Sequence, residues 1–151
     1  MGLNLTVMKQ TADSVFLDSN ILIYCYTNTE KGKQQKAFQV IDNSPHLFVS
    51  TQVLQGFCNV AHKKFSPQDI DLEIALSEIE SMVCIHGNSI DTVRKANTVK
   101  NKYNYSFYDS LIIAAALDCD CNILYSEDMQ DGQVIENRLK IVNPFNDKNQ
   151  L

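Results

Sequence analysis

A parallel α/β sheet covered by helices on both faces is the fold class this sequence predicts, and three observations predict it. Its strand candidates are short and apolar throughout, as in S-V-F-L from Ser14 to Leu17, where a half-exposed strand would alternate. Helical stretches separate those candidates one from the next, the alternation that builds a parallel sheet. The 151 residues show no internal repeat and no low-complexity segment, and with five Gly and three Pro there is no linker-like run. The chain is therefore expected to form one domain over 1–151.

Taken in order, Ser14 to Leu17 is a buried strand ending at Asp18. Ser19 opens a helix (S-N-I-L-I-Y-C-Y) with apolar positions too dense for an exposed face. Lys31 to Asn43 is a second helix, with Ala37, Phe38, Val40 and Ile41 on its buried side. It stops at Ser44-Pro45, because a residue before proline avoids the helical region. Leu47-Phe48-Val49 is a strand, and Ser50 or Thr51 caps a helix running to about Phe65. Ser66-Pro67 starts the next helix, since proline suits the first helical position. Ile70, Ile74, Ile79 and Met82 follow at loosely helical spacing. Met82 to Ile85 is strand-like. Ser89 to Lys102 is an amphipathic helix carrying Arg94, Lys95, Lys100 and Lys102, and Ser106 to Leu117 is a helix apolar nearly all round, hence buried. Asn122 to Tyr125 is a strand, Ser126 to Gly132 a polar turn, and Leu139 to Val142 ends the sheet.

Bulk features exclude several classes. Five cysteines (Cys25, Cys58, Cys84, Cys119, Cys121) contain no C-x-x-C pair and are odd in number. That is no disulfide framework, and a reducing cytoplasm suits it better. The apolar runs Ile21 to Tyr26 and Leu111 to Leu117 fall far short of the roughly 20 residues of a membrane span. Residues 1–15 show neither a basic region nor a continuous apolar one, so no export signal is expected. The formal charge of −5 argues at first against a polyanion partner. Its distribution is uneven: Tyr103 to Asn137 holds seven acids (Asp109, Asp118, Asp120, Glu127, Asp128, Asp131, Glu136) and no Lys or Arg, which leaves the remainder at +2.

Ligands of parallel sheets bind outside the carboxyl ends of the strands. Asp18 ends the first strand, Ser126-Glu127-Asp128 follows a later one, and Asp109 opens the buried helix that precedes it. Each acid has an ordinary explanation. Asp18 caps a helix, Asp128 belongs to a turn, and Ser106-x-x-Asp109 matches a capping box. Three carboxylates at one sheet edge repel one another, however, and raise each other's pKa unless a cation sits among them. Hard oxygen donors with open positions suit Mg²⁺ or Mn²⁺, which also grip phosphate. A divalent ion there would make part of the negative charge phosphate-attracting, so the acidic balance does not exclude RNA.

Three segments carry a family resemblance: F-L-D-S-N-I-L-I-Y (Phe16 to Tyr24), S-F-Y-D-S-L-I-I-A-A-A-L (Ser106 to Leu117) and L-Y-S-E-D-M (Leu124 to Met129). In this order they resemble the PIN-domain nucleases, and among these the bacterial VapC-type ribonuclease toxins, over about residues 14–145. The resemblance implies a PIN-like three-layer α/β/α fold with a short parallel sheet flanked by helices. It implies that Asp18, Asp109 and Asp128 bind Mg²⁺ or Mn²⁺ and are catalytic. Asn20 would support Asp18 from two positions on, and Ser126 would be the Ser or Thr that precedes the last acid by two. It further implies an RNA substrate, a small antitoxin and a homodimer, while the short apolar runs give the expectation of no membrane partner. The match breaks at Gly56, which occupies the place of an expected metal-binding glutamate within S-T-Q-V-L-Q-G-F-C-N-V. Either a carboxylate has been lost there and activity is impaired, or the glycine serves close packing or a kink.

Two rival functions remain at this point. One is a degenerate PIN domain that binds RNA or antitoxin without cutting. The other is a haloacid-dehalogenase-like phosphatase, whose second acid would fall on Asn20. Lesser candidates are a Cys58/His62 metal pair, outweighed by a core Cys and a surface His, and a Cys119/Cys121 redox pair with the wrong spacing. The run Arg94 to Lys102, with Tyr103, Tyr105, Phe107 and Tyr108 after it, reads either as an RNA grip or as a solvated face followed by core aromatics.

Overall fold

Val15, Phe16 and Leu17 are consecutive and all at most 1% exposed. Neighbours on a strand point to opposite faces, so this sheet is covered on both sides. The chain is seen as a computed structural model that describes residues 13–149. The strands are β1 (Ser14–Leu17), β2 (His46–Ser50), β3 (Cys84–His86), β4 (Ile123–Tyr125), β5 (Val134–Ile135) and β6 (Leu139–Val142), in the order β3-β2-β1-β4-β6-β5. Every pairing is parallel except β5 with β6, and Phe16 stands opposite both Phe48 and Leu124. The sheet grows outward from β1 through β2 and β3, then returns to place β4 on the other side of β1. The carboxyl ends of β1 and β4 therefore flank the point where strand order reverses, the place where such sheets bind ligands.

The helices are α1 (Ser19–Cys25), α2 (Lys31–Asn43), α3 (Thr51–Lys64), α4 (Leu72–Met82), α5 (Ile90–Tyr103) and α6 (Phe107–Asp118). Helix α6 is buried from Ser110 through Leu117, so it has no solvent face over that length. It packs along α5, whose start is a reciprocal box: Ser89 Oγ accepts the Thr92 N–H and Thr92 Oγ accepts the Ser89 N–H. Asn104, in the left-handed region at φ 63°, closes α5 and turns the chain into α6. Ser50 caps α3 by accepting the Val53 N–H at 3.2 Å.

Three element expectations are corrected. Helix α4 begins at Leu72, with Asp71 as its cap, and not at Ser66-Pro67. The Asp69 carboxylate takes both the Ser66 N–H and the Ser66 hydroxyl, which locks that stretch as a turn before the helix. The buried face of α4 is accordingly Ala75 and Ile79, while Ile74 and Met82 are exposed. Met82 ends α4 and the strand starts at Cys84. In α2, Ala37 and Val40 are buried but Phe38 is exposed. Strand β5 was not expected: only two residues long, it pairs with β6 across Glu136 and Asn137, both at positive φ.

Among the described residues no helix is long and apolar enough to cross a membrane. The expectation of no export signal rests on residues 1–15, of which 1–12 lie outside the described residues.

Candidate functional site

Asp18 is the residue where β1 gives way to α1, and its side chain serves both elements. Its Oδ1 accepts the Ser19 N–H at 2.7 Å as helix cap, and its Oδ2 accepts the Ser126 hydroxyl at 2.8 Å. Ser126 follows β4 and is fully buried. The Asp18 N–H bonds to Tyr125 O at 3.0 Å, so both ends of Asp18 are tied to the neighbouring strand. The residue is 6% exposed. Burial pushes its pKa up, the bonds from Ser126 and Ser19 pull it down, and the charges of Asp109 and Asp128 push it up again.

Asp109 lies in the first turn of α6, half-buried. Its N–H bonds to Ser106 Oγ at 3.1 Å, which forms only one half of the predicted capping box. The pKa of its carboxyl is raised, chiefly by burial and also by Asp128, against a lowering from the Ser106 hydroxyl. Asp128 is exposed in the turn after β4, where its Oδ2 accepts the Asn20 amide at 2.8 Å. The two supporting residues thus act crosswise. Asn20, from the β1 side, holds Asp128, and Ser126, from the β4 side, holds Asp18.

The other acids of the Tyr103–Asn137 stretch have different work. Asp118 takes Lys95 and the Thr92 hydroxyl, with His86 beside it, and the bonds from Lys95 and Thr92 outweigh burial to hold its pKa down. Asp120 pairs with Arg138 at 3.0 Å, Glu127 with Lys33 at 2.7 Å and Glu136 with Lys102 at 3.1 Å. Asp131 accepts the Asn143 N–H and the amides of Asn146 and Asn149. Among the described residues, Asp18, Asp109 and Asp128 have no cation within ion-pair distance. The cations of α5 are engaged too: Arg94 with Asp91, Lys95 with Asp118, Lys102 with Glu136, and Lys100 with the Tyr105 carbonyl. These pairs lie on a solvated helix face, while Tyr108 after it is exposed and not the core aromatic expected to follow such a face.

The donor set is the kind a hard cation takes: carboxylate oxygens, supported by neutral hydroxyl and amide donors that leave their charge uncancelled. Among the described residues, no three of His, Cys, Asp and Glu stand close enough to share one ion directly. An ion such as Mg²⁺ is commonly held through one or two carboxylates with several waters, which pairs of these acids would have the chemistry to provide. Gly56 lies on α3 within reach of this edge. A Cβ built there would meet Ser19 Oγ at 3.5 Å and Ser19 Cβ at 3.6 Å, ordinary contacts beside Asp18. Neither crowding nor a left-handed backbone requires glycine at this position.

The remaining candidates stay apart from the site. Cys58 and His62 lie one turn apart on α3 with no third ligand among the described residues. All five thiols are free, and burial lifts Cys119 to about 11 and Cys121 to about 12, which suppresses thiolate chemistry.

Sequence reasoning missed the brace behind the Asp128 turn. Tyr24 of α1 donates to Glu127 at 2.7 Å, and Lys33 of α2 reaches both Glu127 and the Tyr24 hydroxyl. Lys33 also lies over the rings of Tyr24 and Phe145. The only local signal was a second acid next to Asp128, since its partners lie 94 and 103 residues away.

Comparison with known proteins bears on the family and the fold. The sequence model of the PIN domain family matches residues 15–131. No curated protein sequence matches the chain. Among solved structures, the chain is similar to the VapC20 toxin of Mycobacterium tuberculosis, described as cleaving the sarcin–ricin loop: TM-score 0.65, 16% identity, covering 76% of this chain and 90% of that one. It is similar to a toxin–antitoxin complex from Klebsiella pneumoniae, with TM-score 0.67, 20% identity, and 87% and 98% covered. It is also similar to VapBC2 of Rickettsia felis, solved with a DNA fragment from its promoter: TM-score 0.61, 17% identity, and 84% and 96% covered. At these identities the likeness speaks for the fold.

Proposed function

Because this chain belongs to the PIN-domain family, we propose that it is a metal-dependent ribonuclease of the VapC toxin type whose activity is impaired by Gly56. The observation that carries this reading is the meeting of three acids at one sheet edge, each without a cation in ion-pair distance among the described residues. In a stretch where the other acids pair with cations or cap turns, Asp109 and Asp128 do neither, and with Asp18 they sit where strand order reverses. After burial, the charges of Asp109 and Asp128 disfavour ionised Asp18, and that of Asp128 disfavours ionised Asp109, which is the condition a bound cation relieves.

A bound Mg²⁺ or Mn²⁺ would supply an activated water and steady the leaving oxygen of an RNA phosphodiester. The residues have distinct parts in this. Asp18, aimed by Ser126 and Ser19, and Asp128, aimed by Asn20, would hold the ion. Asp109 would hold or orient it from the start of α6. Gly56 leaves the α3 side of the site without a carboxylate, which weakens metal binding and lowers activity.

The partners belong to the same reading: an RNA substrate, a small antitoxin and a second copy of the chain, in the cytoplasm. A cleft lined by Asn20, Tyr24, Tyr26, Val60, Lys64 and Phe65 would let an antitoxin peptide reach the acidic edge through Asn20. Exposed Ile85, Ile90 and Val93 offer apolar area for self-association. A second reading, a PIN domain that binds without cutting, is favoured by Gly56 and by the absence of a three-carboxylate group among the described residues. Nothing favours the phosphatase, since the place of its second acid is an amide committed to Asp128.

Mn²⁺-dependent cleavage of single-stranded RNA by this chain, by Gly56→Glu and by Gly56→Glu with Asp18→Asn tests the proposal. We expect weak cleavage by the parent, at least tenfold faster cleavage by Gly56→Glu, and loss when Asp18→Asn is added. Equal, strong cleavage by the first two overturns the impairment. No cleavage by any of them overturns the nuclease and leaves the binding module.

A further inference from the structure

From Tyr103 to Tyr108 the chain carries four aromatic rings, and the structure gives three of them internal work. The Tyr103 hydroxyl accepts the Glu136 N–H at 2.9 Å, and Lys102 lies over its ring. The Tyr105 hydroxyl donates to Gln133 and accepts the Gln130 N–H. Phe107 packs against the small cluster of Ala96, Leu111 and Ala114. Tyr108 is different. It is 73% exposed, and its hydroxyl has no hydrogen-bond partner among the described residues.

The backbone that presents this ring is held firmly. Its carbonyl accepts the Gln52 amide at 3.0 Å, which ties the first turn of α6 to α3. The next residue is Asp109, whose N–H is fixed by Ser106. The Phe107 ring meets the Tyr108 ring edge to face, with centroids 6.3 Å apart, and steadies one side of it. Folding gains little from a ring left this open, because apolar area contributes only where water is removed.

We propose that Tyr108 is a substrate-positioning residue that stacks on an unpaired base of single-stranded RNA next to the phosphate presented to Asp18, Asp109 and Asp128. This rests on the ribonuclease reading above and deepens it. Single-stranded RNA is gripped chiefly by stacking its splayed bases on aromatic side chains, and such a platform accepts any base. A solvent-facing ring on an anchored backbone, one residue from a carboxylate of the candidate site, would seat a base beside the reacting edge.

The test is fluorescence anisotropy of a short, labelled, mixed-sequence single-stranded RNA with the parent chain in Ca²⁺, beside Tyr108→Ala, Tyr108→Leu, Tyr108→Phe and Tyr108→Trp. Alanine and leucine should each weaken binding about tenfold, while phenylalanine and tryptophan retain it. The same oligonucleotide made abasic should bind the parent as weakly as it binds the alanine variant, and the salt dependence should not change. Parent-like affinity of Tyr108→Ala, with Gly56→Glu still cutting RNA, overturns the stacking role and leaves the nuclease standing. A changed sedimentation coefficient without a change in RNA affinity also overturns it and assigns the ring to a protein contact. If the parent does not bind RNA and Gly56→Glu does not cut it, both proposals fall.

Discussion

Asp18 has both carboxylate oxygens occupied by neutral donors, Ser19 N–H and Ser126 Oγ–H, and is nearly buried with two more acids in electrostatic reach. Burial without a cationic partner is the costly case for a carboxylate. The sign of its effect on stability follows. Asp18 and Asp109 have raised pKa values in the folded state, so their contribution is fully present below the unfolded carboxylate range near 4. It is lost as pH rises through the folded values. Asp118 and Asp131 act oppositely: their pKa values are lowered, so their contribution is present above that range and is lost as pH falls through the folded values. In chelator, urea denaturation should therefore show stability falling as pH rises from the unfolded carboxylate range through the raised folded values of Asp18 and Asp109. Asp18→Asn, which removes one of the charges, should flatten that slope and raise neutral-pH stability. An unchanged slope in Asp18→Asn would show that the buried acid is already compensated.

Helix α3 carries the anomaly of the sequence. Its cap at Ser50 was legible, as was its length, because Ser50-Thr51 precedes a strongly apolar run that includes fully buried Phe57. Gly56 was visible as out of place in a helix interior, where glycine costs about 1 kcal/mol relative to alanine. The structure removes the packing explanation, since a Cβ at that position makes only ordinary contacts with Ser19. Gly56→Ala should accordingly raise stability by about 0.5–1 kcal/mol in chemical denaturation. A loss of stability would mean that the glycine serves packing after all. The start of α4 was illegible for a physical reason. Ser66-Pro67 is a sound helix start by local rules, and Asp69 does accept the Ser66 N–H as at such a start, but the segment closes after one turn and Asp71 caps α4 afresh. Strand β5 escaped notice because two residues carry no periodicity, and its turn uses Glu136 and Asn137 at positive φ in place of glycine.

Across the whole molecule, the uneven charge acquires a cause. The acid-rich stretch from Tyr103 to Asn137 is largely neutralised by cations that lie elsewhere in the chain: Lys33, Lys95, Lys102 and Arg138. None of those pairings could be read from local sequence, because each joins residues far apart along the chain. The positions of the three candidate acids were legible singly, after apolar strands and at the head of a buried helix. What only the fold reveals is that, within this stretch, Asp109 and Asp128 are left with neither a cation among the described residues nor the turn amides that hold Asp131, and that both lie in electrostatic reach of Asp18. The measurement that tests this most directly is Mn²⁺ binding, followed by paramagnetic resonance of the free ion, to the parent, Gly56→Glu and Asp18→Asn. The account predicts weak binding by the parent, binding at least tenfold tighter when Glu replaces Gly56, and loss of the site with Asp18→Asn. Equal Mn²⁺ affinity of the parent and Asp18→Asn would contradict it.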